Sequence, residues 1–198
     1  MIKPSYNIVI PARYASERLP GKLLLDLAGK YVIEHVWNAA QQSSAEQVVI
    51  ATDDRRILEA VEQFGGTAVL TSTDHASGSD RIAECARQLG WDDDQLIVNL
   101  QGDEPAMPAV CLDQVAQLLA GDTSADVATL CWPVDSPQDL DDPNTVKVVF
   151  SGAGQALYFS RAVIPHCRGA QSTDKAMQSG VSFFRHMGLY AYRYRALK

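Results

Sequence analysis

The sequence predicts an α/β fold built on a mixed, mainly parallel β-sheet. Short apolar runs, typical of buried strands, alternate with segments of helical periodicity up to about residue 143. Beyond that point the strand-like runs continue with no long helix between the first two, which favours some antiparallel pairing. With 198 residues, 46% of them hydrophobic, the chain is long enough to bury the core of one domain.

Each element follows from its local pattern. Predicted strands in the alternating part cover residues 7–10, 47–51, 67–71, 96–100 and 126–132, and later strands cover 146–150, 155–159 and 188–193. Predicted helices, with apolar residues at helical spacing, cover 32–40, 57–64, 82–89 and 108–119. Gly65-Gly66 and Gly90 act as helix stop signals. The polar, Ser- and Gln-containing stretch 168–180 is expected to form a surface loop.

Composition excludes several classes of protein. A net charge of -7 argues against a general nucleic-acid binder, although local basic residues can still hold a nucleotide. No apolar run approaches the roughly 20 residues of a membrane span. The first apolar stretch stops at Pro11 and Arg13, so it is not a signal peptide and a cytoplasmic location is expected. The 4 cysteines form no CxxC pair, which argues against a thiolate metal site or a disulfide framework.

Ligands of open α/β sheets bind beyond the carboxyl ends of the strands. The loop after the first predicted strand carries Arg13, Arg18 and Lys22, and basic side chains in this position suit a polyphosphate. Gly21 allows a close backbone approach. The loop is neither a P-loop nor a GxGxxG fingerprint, so an NAD site is disfavoured. An ordinary solvated loop is the alternative.

Two further loops carry candidate chemistry. Asp103, directly after a buried strand, is placed to bind Mg²⁺ with a phosphate-bearing substrate, although its Gly-Asp context is also typical of a turn. The loop 73–81 ends at a helix start, where free N–H groups can receive an anion and where Ser77 or Ser79 is the expected N-cap. Because a cation disfavours a helix N-terminus, Arg81 in the first turn indicates a partner anion.

The last third contributes single residues rather than a motif. Lys147 interrupts an apolar strand, where a lysine is expected on the solvent-facing side. Arg161 lies just past a strand, and His186 and Tyr190 share one face if their strand is regular. The residues alone therefore indicate an Mg²⁺-dependent enzyme that acts on an anionic, phosphate-bearing substrate.

Six ordered blocks carry a more specific resemblance: PARYASERLPGK, SGSDR, NLQGDEP, NTVKVV, ALYFSR and RHMGLYAYR. In this order and spacing the chain resembles the 3-deoxy-manno-octulosonate cytidylyltransferases, the CMP-Kdo synthetase family. The resemblance implies a Rossmann-like, GT-A-like nucleotidyltransferase fold, a three-layer sandwich. It also implies CTP and Kdo as substrates, CMP-Kdo and pyrophosphate as products for lipopolysaccharide biosynthesis, Mg²⁺ as cofactor, and a homodimer.

The same resemblance assigns roles to individual residues. Arg13, Arg18 and Lys22 match positions that hold the triphosphate, and Asp103 matches an Mg²⁺ ligand, so Asp103, Lys22 and Arg13 are the expected catalytic residues. Ser79 and Arg81 are expected to bind the nucleotide. The positions that match the Kdo pocket are Gln101, Arg161, His186 and Tyr190. No general base is evident among the matched residues.

One departure and three alternatives remain. The family continues beyond the last block with a GVDT-like segment that supplies another Asp for the metal. We therefore expect residues 1–198 to be a single nucleotidyltransferase domain that is C-terminally truncated and turns over poorly. The alternatives are a related enzyme for 8-amino-Kdo or sialic acid, a non-catalytic nucleotide-binding fragment, and a glycosyltransferase that uses Asp53-Asp54. A helix cap is the plainer interpretation of that last pair.

Overall fold

A computed structural model describes residues 3–15 and 19–198. Contacts divide the chain into two compact units, of which the first comprises Met1–Ala128 with Leu189–Lys198 and the second Thr129–Gly188. That the chain forms a single domain stays a prediction. No helix within the described residues is long and apolar enough to span a membrane.

The elements of both units follow one another along the chain. The strands are β1 (Asn7–Ala12), β2 (Asp26–Leu27), β3 (Lys30–Tyr31), β4 (Gln47–Thr52), β5 (Thr67–Leu70), β6 (Leu96–Asn99), β7 (Val127–Pro133), β8 (Lys147–Phe150), β9 (Ala156–Ser160) and β10 (Phe184–Arg193). The α-helices are α1 (Val32–Ala40), α2 (Arg55–Gln63), α3 (Gly78–Gln88), α4 (Ala109–Gly121), α5 (Pro137–Asp141) and α6 (Thr173–Met177). Short 3₁₀ helices cover Lys22–Leu24 and Tyr194–Leu197.

The sheet of the first unit has the strand order β5-β4-β1-β6-β10. Strands β5, β4, β1 and β6 are parallel neighbours. The C-terminal part of β10 pairs antiparallel with β6, with Tyr190 opposite Asn99. The predicted mixed, mainly parallel sheet is therefore confirmed.

Helices cover both faces of this sheet. On one face, Ile82 and Cys85 of α3 pack against Val9, Val49 and Ile97 of the strands. Alternate strand residues point to the opposite face, where α1 and α4 contact each other and the sheet. Because both sets are almost completely buried, the strands read as continuous apolar runs, as parallel sheets between two helix layers do.

Local sequence explains where the helices begin and end. The side chain of Asp54 caps α2 by accepting a hydrogen bond from the Arg56 N–H, and it does not form part of a glycosyltransferase motif. Helix α2 is followed by Gly65 and α3 by Gly90, both with positive φ. The two stop signals are confirmed, because glycine adopts this left-handed conformation without the usual steric penalty.

The second unit is built around antiparallel strands. Strand β8 pairs with β9 and with the N-terminal part of β10, where Arg185 lies opposite Lys147. A small apolar core contains Val134, Leu140, Ala176 and Phe183. The predicted change to antiparallel pairing after about residue 143 is confirmed.

Three expectations about this unit were wrong. The stretch 168–180 is not all loop, because Ser172 caps the short helix α6 and Ala176 on that helix is buried in the core. Helix α5, with Ser136 as its N-cap, had no apolar periodicity to announce it because it spans only 5 residues. Lys147 does not face solvent: it is fully buried.

Candidate functional site

Two neighbouring loops form the floor of the candidate site in the first unit. Strands β1 and β6 are parallel neighbours, so the segments that follow them leave the sheet at the same edge. Gly102 lies so close to the first loop that a Cβ there would be 3.1 Å from the carbonyl oxygen of Pro11. Any larger residue at position 102 would push the two loops apart.

Two pockets open at this edge. One, of about 340 Å³, is lined by Pro11, Ala12, Arg13, His75, Ala76, Ser77, Gly78, Arg81 and Gln101. The other, of about 200 Å³, is lined by Pro11, Arg13, Lys22, Leu23, Gln101, Gly102 and Asp103. Because Pro11, Arg13 and Gln101 belong to both, the pockets adjoin, and an elongated ligand can occupy them together.

The first loop is folded around a glycine that no other residue replaces easily. Gly21 has φ +72°, donates its N–H to the carbonyl oxygen of Tyr14 at 2.9 Å, and would bring a Cβ within 2.9 Å of the Tyr14 hydroxyl. The following 3₁₀ turn buries Leu23 and directs Lys22 into the second pocket. Arg13 is exposed on the wall of both pockets. Arg18 lies outside the described residues.

Lys22 and Asp103, predicted from separate motifs, form an ion pair with 2.5 Å between Nζ and Oδ2. Their side chains are 36% and 48% exposed, so the pair contributes little to stability. Its significance is positional, because a cation and a carboxylate are held together in a pocket that Arg13 also lines. The lysine ammonium has three N–H donors and retains donors for a second acceptor.

Asp103 is the residue that fits a magnesium ion. No cluster of three or more His, Cys, Asp or Glu side chains suited to a metal occurs among residues 3–15 and 19–198. Mg²⁺, however, usually binds one or two carboxylates and takes its remaining ligands from water and substrate phosphates. A single exposed carboxylate beside Arg13 and Lys22 therefore suits a metal that arrives with a polyphosphate.

Glu104 differs from its neighbour. Burial, together with the negative charge of Asp103, raises the pKa of the Glu104 carboxyl above its ordinary value. Its Oε2 atom is buried and has no hydrogen-bond partner among the described residues. The two consecutive carboxyl groups therefore occupy distinct environments, and the exposed one is the better cation ligand.

The loop before α3 forms the wall of the larger pocket. Ser77, and not Ser79, is the N-cap: its hydroxyl accepts a hydrogen bond from the Asp80 N–H at 3.1 Å, and the Asp80 carboxylate bonds back to the Ser77 N–H at 3.0 Å. Ser79 is half-buried in the first turn. A ligand role for Ser79 stays a prediction.

Arg81 has its partner anion inside the protein. Its side chain is 5% exposed, and its Nη2 atom lies 2.6 Å from Oδ2 of Asp53 at the end of β4. The other terminal nitrogen donates to the hydroxyl of Thr71 at 2.5 Å. The inference that a cation here needs an anion was correct, but the observed anion is a carboxylate 28 residues away. Binding of a nucleotide by Arg81 stays a prediction.

His75 emerges as a pocket residue that sequence reasoning left aside. Its Nε2 atom lies 2.5 Å from Oε2 of Glu84, and the same oxygen accepts a hydrogen bond from the Ser72 N–H. The Ser72 N–H, burial and the His75 contact act together on Glu84, and the net effect lowers the pKa of this carboxyl. The spacing of 9 residues across a loop and a helix start offers no periodic signal that would predict this pair.

Gln101 and Tyr190 are the predicted sugar-binding residues that lie in the first unit. Gln101 lines both pockets. Tyr190 stacks on Tyr192, with ring centroids 5.8 Å apart, and lies opposite Asn99 near the carboxyl end of β6. Burial, with a smaller effect from Tyr192, raises the pKa of the Tyr190 hydroxyl, so Tyr190 is a neutral hydrogen-bonding group at neutral pH.

Arg161 and His186 lie in the second unit. Arg161 is exposed and uses Nη1 to donate to the carbonyl oxygen of Pro143 at 2.8 Å. His186 lies 2.9 Å from the Thr129 hydroxyl and makes an edge-on contact with Phe159. Burial lowers the pKa of the His186 imidazole, which favours its neutral form at pH 7.

Comparison with known proteins agrees with this arrangement. Residues 7–198 match the family described as Cytidylyltransferase. The chain is 52% identical over 190 residues to a 3-deoxy-manno-octulosonate cytidylyltransferase of Hahella chejuensis, covering 96% of this chain and 74% of that protein. It is 54% identical over 194 residues to the protein of the same name from Thioalkalivibrio sulfidiphilus, covering 98% and 77%.

A solved structure gives the same answer. The structure of a CMP:2-keto-3-deoxy-manno-octonic acid synthetase complexed with CTP superposes with a TM-score of 0.87 and 42% identity. The match covers 98% of this chain and 76% of that one. The fold and the order of motifs are therefore both shared with proteins that carry this name.

Proposed function

The chain belongs to the cytidylyltransferase family, and from that premise we propose that it transfers CMP from CTP to Kdo. The single observation that carries the proposal is the pair of adjoining pockets in which Arg13, Lys22, Asp103 and Gln101 come together. The resulting CMP-Kdo serves lipopolysaccharide biosynthesis, as the names of the relatives imply.

The reaction is an in-line displacement at phosphorus. The anomeric hydroxyl oxygen of Kdo forms a bond to the α-phosphorus of CTP, the bond between that phosphorus and the bridging oxygen breaks, and pyrophosphate leaves. The hydroxyl proton passes to solvent. Catalysis of such a step consists mostly of positioning and of stabilising charge on the phosphate oxygens.

The residues of the first unit supply that charge. Arg13 lines both pockets and offers a planar set of donors for phosphate oxygens. Lys22 is held in the smaller pocket by Asp103 and keeps donors free for the triphosphate. Gln101 and the neutral hydroxyl of Tyr190 suit the hydroxyl groups of the sugar. Arg161 and His186, in the second unit, stay candidates for the Kdo carboxylate.

We also propose that Asp103 holds Mg²⁺ when CTP binds. A bound divalent ion supplies positive charge that stabilises the transferring phosphoryl group. Asp103 contributes an exposed carboxylate, and the adjacent Lys22 limits repulsion between that carboxylate and the incoming phosphates.

The test of this site is Asp103→Ala, with Asp74→Ala as a matched control. Asp74 is an exposed aspartate in the loop beside His75 that does not line either pocket. Pyrophosphate release is measured at saturating CTP, Kdo and Mg²⁺. D103A should abolish release while D74A keeps it, and a merely modest loss in D103A would contradict the metal assignment.

The two remaining alternatives are separated by substrate and by readout. Competition between Kdo and its 8-amino analogue in the same assay identifies the preferred sugar acid. Titration of the chain with CTP and Mg²⁺, monitored by calorimetry, detects binding independently of turnover. Tight binding without pyrophosphate release would favour a non-catalytic nucleotide-binding module.

We further propose that the protein is a homodimer. The second unit exposes large apolar side chains, with Trp132 at 54%, Leu157 at 68% and Tyr158 at 61% exposure. Contiguous exposed apolar surface commonly marks an interaction site, and a second copy is the partner that the family resemblance implies. Light scattering of the native chain and of Leu157→Asp should give a dimer and a monomer, respectively.

A further inference from the structure

Lys147 is a charged side chain placed where a charge is costly. It is the first residue of β8 and has no exposed surface. Its Nζ atom donates to the carbonyl oxygens of Asp142 at 3.0 Å and Thr145 at 2.8 Å. A buried ammonium is tolerated only when its hydrogen bonds are fixed in place. Here its acceptors are backbone carbonyls of one short loop, so the lysine and the loop determine each other's positions.

The loop 142–145 is held by several bonds at once. The Asp142 carbonyl also accepts a hydrogen bond from the Thr145 N–H at 3.1 Å, and the Asp142 carboxylate accepts from the Asn144 backbone N–H at 2.8 Å. The carbonyl between these, that of Pro143, accepts from Arg161 at 2.8 Å. Lys147 and Arg161 therefore bind successive carbonyls of the same turn.

Strand register brings the same lysine next to both predicted carboxylate-binding residues. Across one edge of β8, Lys147 lies opposite Ser160, the residue before Arg161. Across the other edge it lies opposite Arg185, the residue before His186. The His186 N–H also donates to the carbonyl oxygen of Val146 at 2.8 Å. The beginning of β8 is thus fixed between Arg161 and His186.

We propose that Lys147 is a positioning residue for the sugar-acid substrate. By holding the loop 142–145, it keeps the Pro143 carbonyl where it orients the guanidinium of Arg161 toward an incoming carboxylate. Arg161 uses only Nη1 in its bond to Pro143 and is exposed, so its remaining donors are placed for a bidentate carboxylate contact. This inference rests on the proposed function, because it assumes that Arg161 binds the Kdo carboxylate.

The first experiment compares Lys147→Met with Lys175→Met. Methionine keeps most of the buried volume of Lys147 and removes its donors. Lys175 is an exposed lysine of α6 that contacts Gln171 and serves as the control. CMP-Kdo formation is measured while Kdo and CTP are varied in turn. The expected result for K147M is a rise of about tenfold in KM for Kdo, the usual scale for the loss of a charge-assisted hydrogen bond, with KM for CTP nearly unchanged. K175M should match the wild type.

A double-mutant cycle separates positioning from a general structural role. If Lys147 acts through Arg161, adding K147M to Arg161→Gln should raise KM for Kdo by less than about twofold. A full multiplicative effect in the double variant, an equal rise in both KM values, or no change in K147M would overturn the proposal.

Two checks keep the test interpretable. CTP affinity, measured by calorimetry without Kdo, shows whether each variant is folded in its nucleotide-binding part. If K147M does not fold, Lys147→Gln replaces it, because the glutamine amide can still donate to one carbonyl and should give an intermediate KM for Kdo. If the wild-type chain binds CTP but forms no CMP-Kdo, the proposed function fails. A wild-type level of product with no selective Kdo defect in the variant refutes only the role of Lys147.

Discussion

Replacement of Arg81 by methionine should destabilise the protein strongly, although its motif points to ligand binding. The guanidinium is 5% exposed, and its partner Asp53 is 15% exposed. Removing one member of a buried ion pair typically costs about 3–5 kcal/mol, because the other charge stays buried and unpaired. Asp53 keeps slight contact with solvent, so we expect about 3 kcal/mol, more than a hundredfold in the folding equilibrium. Loss of the bond to Thr71 adds to this.

Urea unfolding, followed by the fluorescence of Trp37 and Trp91 in the first unit, measures the effect. With a denaturant slope of about 2 kcal/mol/M, the midpoint of R81M should fall by about 1.5 M. Arg56→Met is the matched control, because Arg56 also lies 2.6 Å from an aspartate but is 58% exposed, and its variant should lose far less. The double variant R81M/Asp53→Asn should recover part of the loss. A midpoint of R81M close to that of the wild type would refute the argument from burial.

Three further changes test other parts of the structure. Ser77→Ala removes the hydroxyl that caps α3 and should cost about 1 kcal/mol in urea unfolding, whereas an unchanged midpoint would show that the capping box contributes nothing. Gly21→Ala forces a Cβ to within 2.9 Å of the Tyr14 hydroxyl at φ +72°, so calorimetry should show weaker CTP binding, and wild-type affinity would mean that the loop adapts. Burial lowers the pKa of His186, so its NMR titration should have a midpoint below 6.5. Since the unfolded state then binds more protons, stability should fall as pH drops below about 6.5, and His186→Gln should remove this part of the pH dependence.

Much of the fold was predictable because its information is local. The parallel strands of the first unit are short apolar runs, and their helices carry 3.6-residue periodicity with Gly65 and Gly90 as stop signals. The short helices α5 and α6 escaped prediction because 5 residues are too few to show a period. Their stability comes from serine caps and from burying Leu140 and Ala176 in the small core of the second unit.

The candidate site divides in the same way. Arg13, Lys22, Gln101 and Asp103 were predicted from motifs, since the carboxyl ends of adjacent parallel strands necessarily meet at one edge. The contact between Lys22 and Asp103 was not predicted, because 81 residues separate them and only strand pairing brings them within 2.5 Å.

By itself, the sequence determined the strand–helix alternation, the family and the loops that carry basic and acidic side chains, because these are properties of neighbouring residues. Only the tertiary structure decided which charges are already satisfied. Arg81 and Asp53 neutralise each other through a buried contact between separate elements, and Lys147, expected at the surface, is buried against the carbonyls of Asp142 and Thr145. Burial and long-range pairing set the energy of a charge, and neither can be read from its position in the chain.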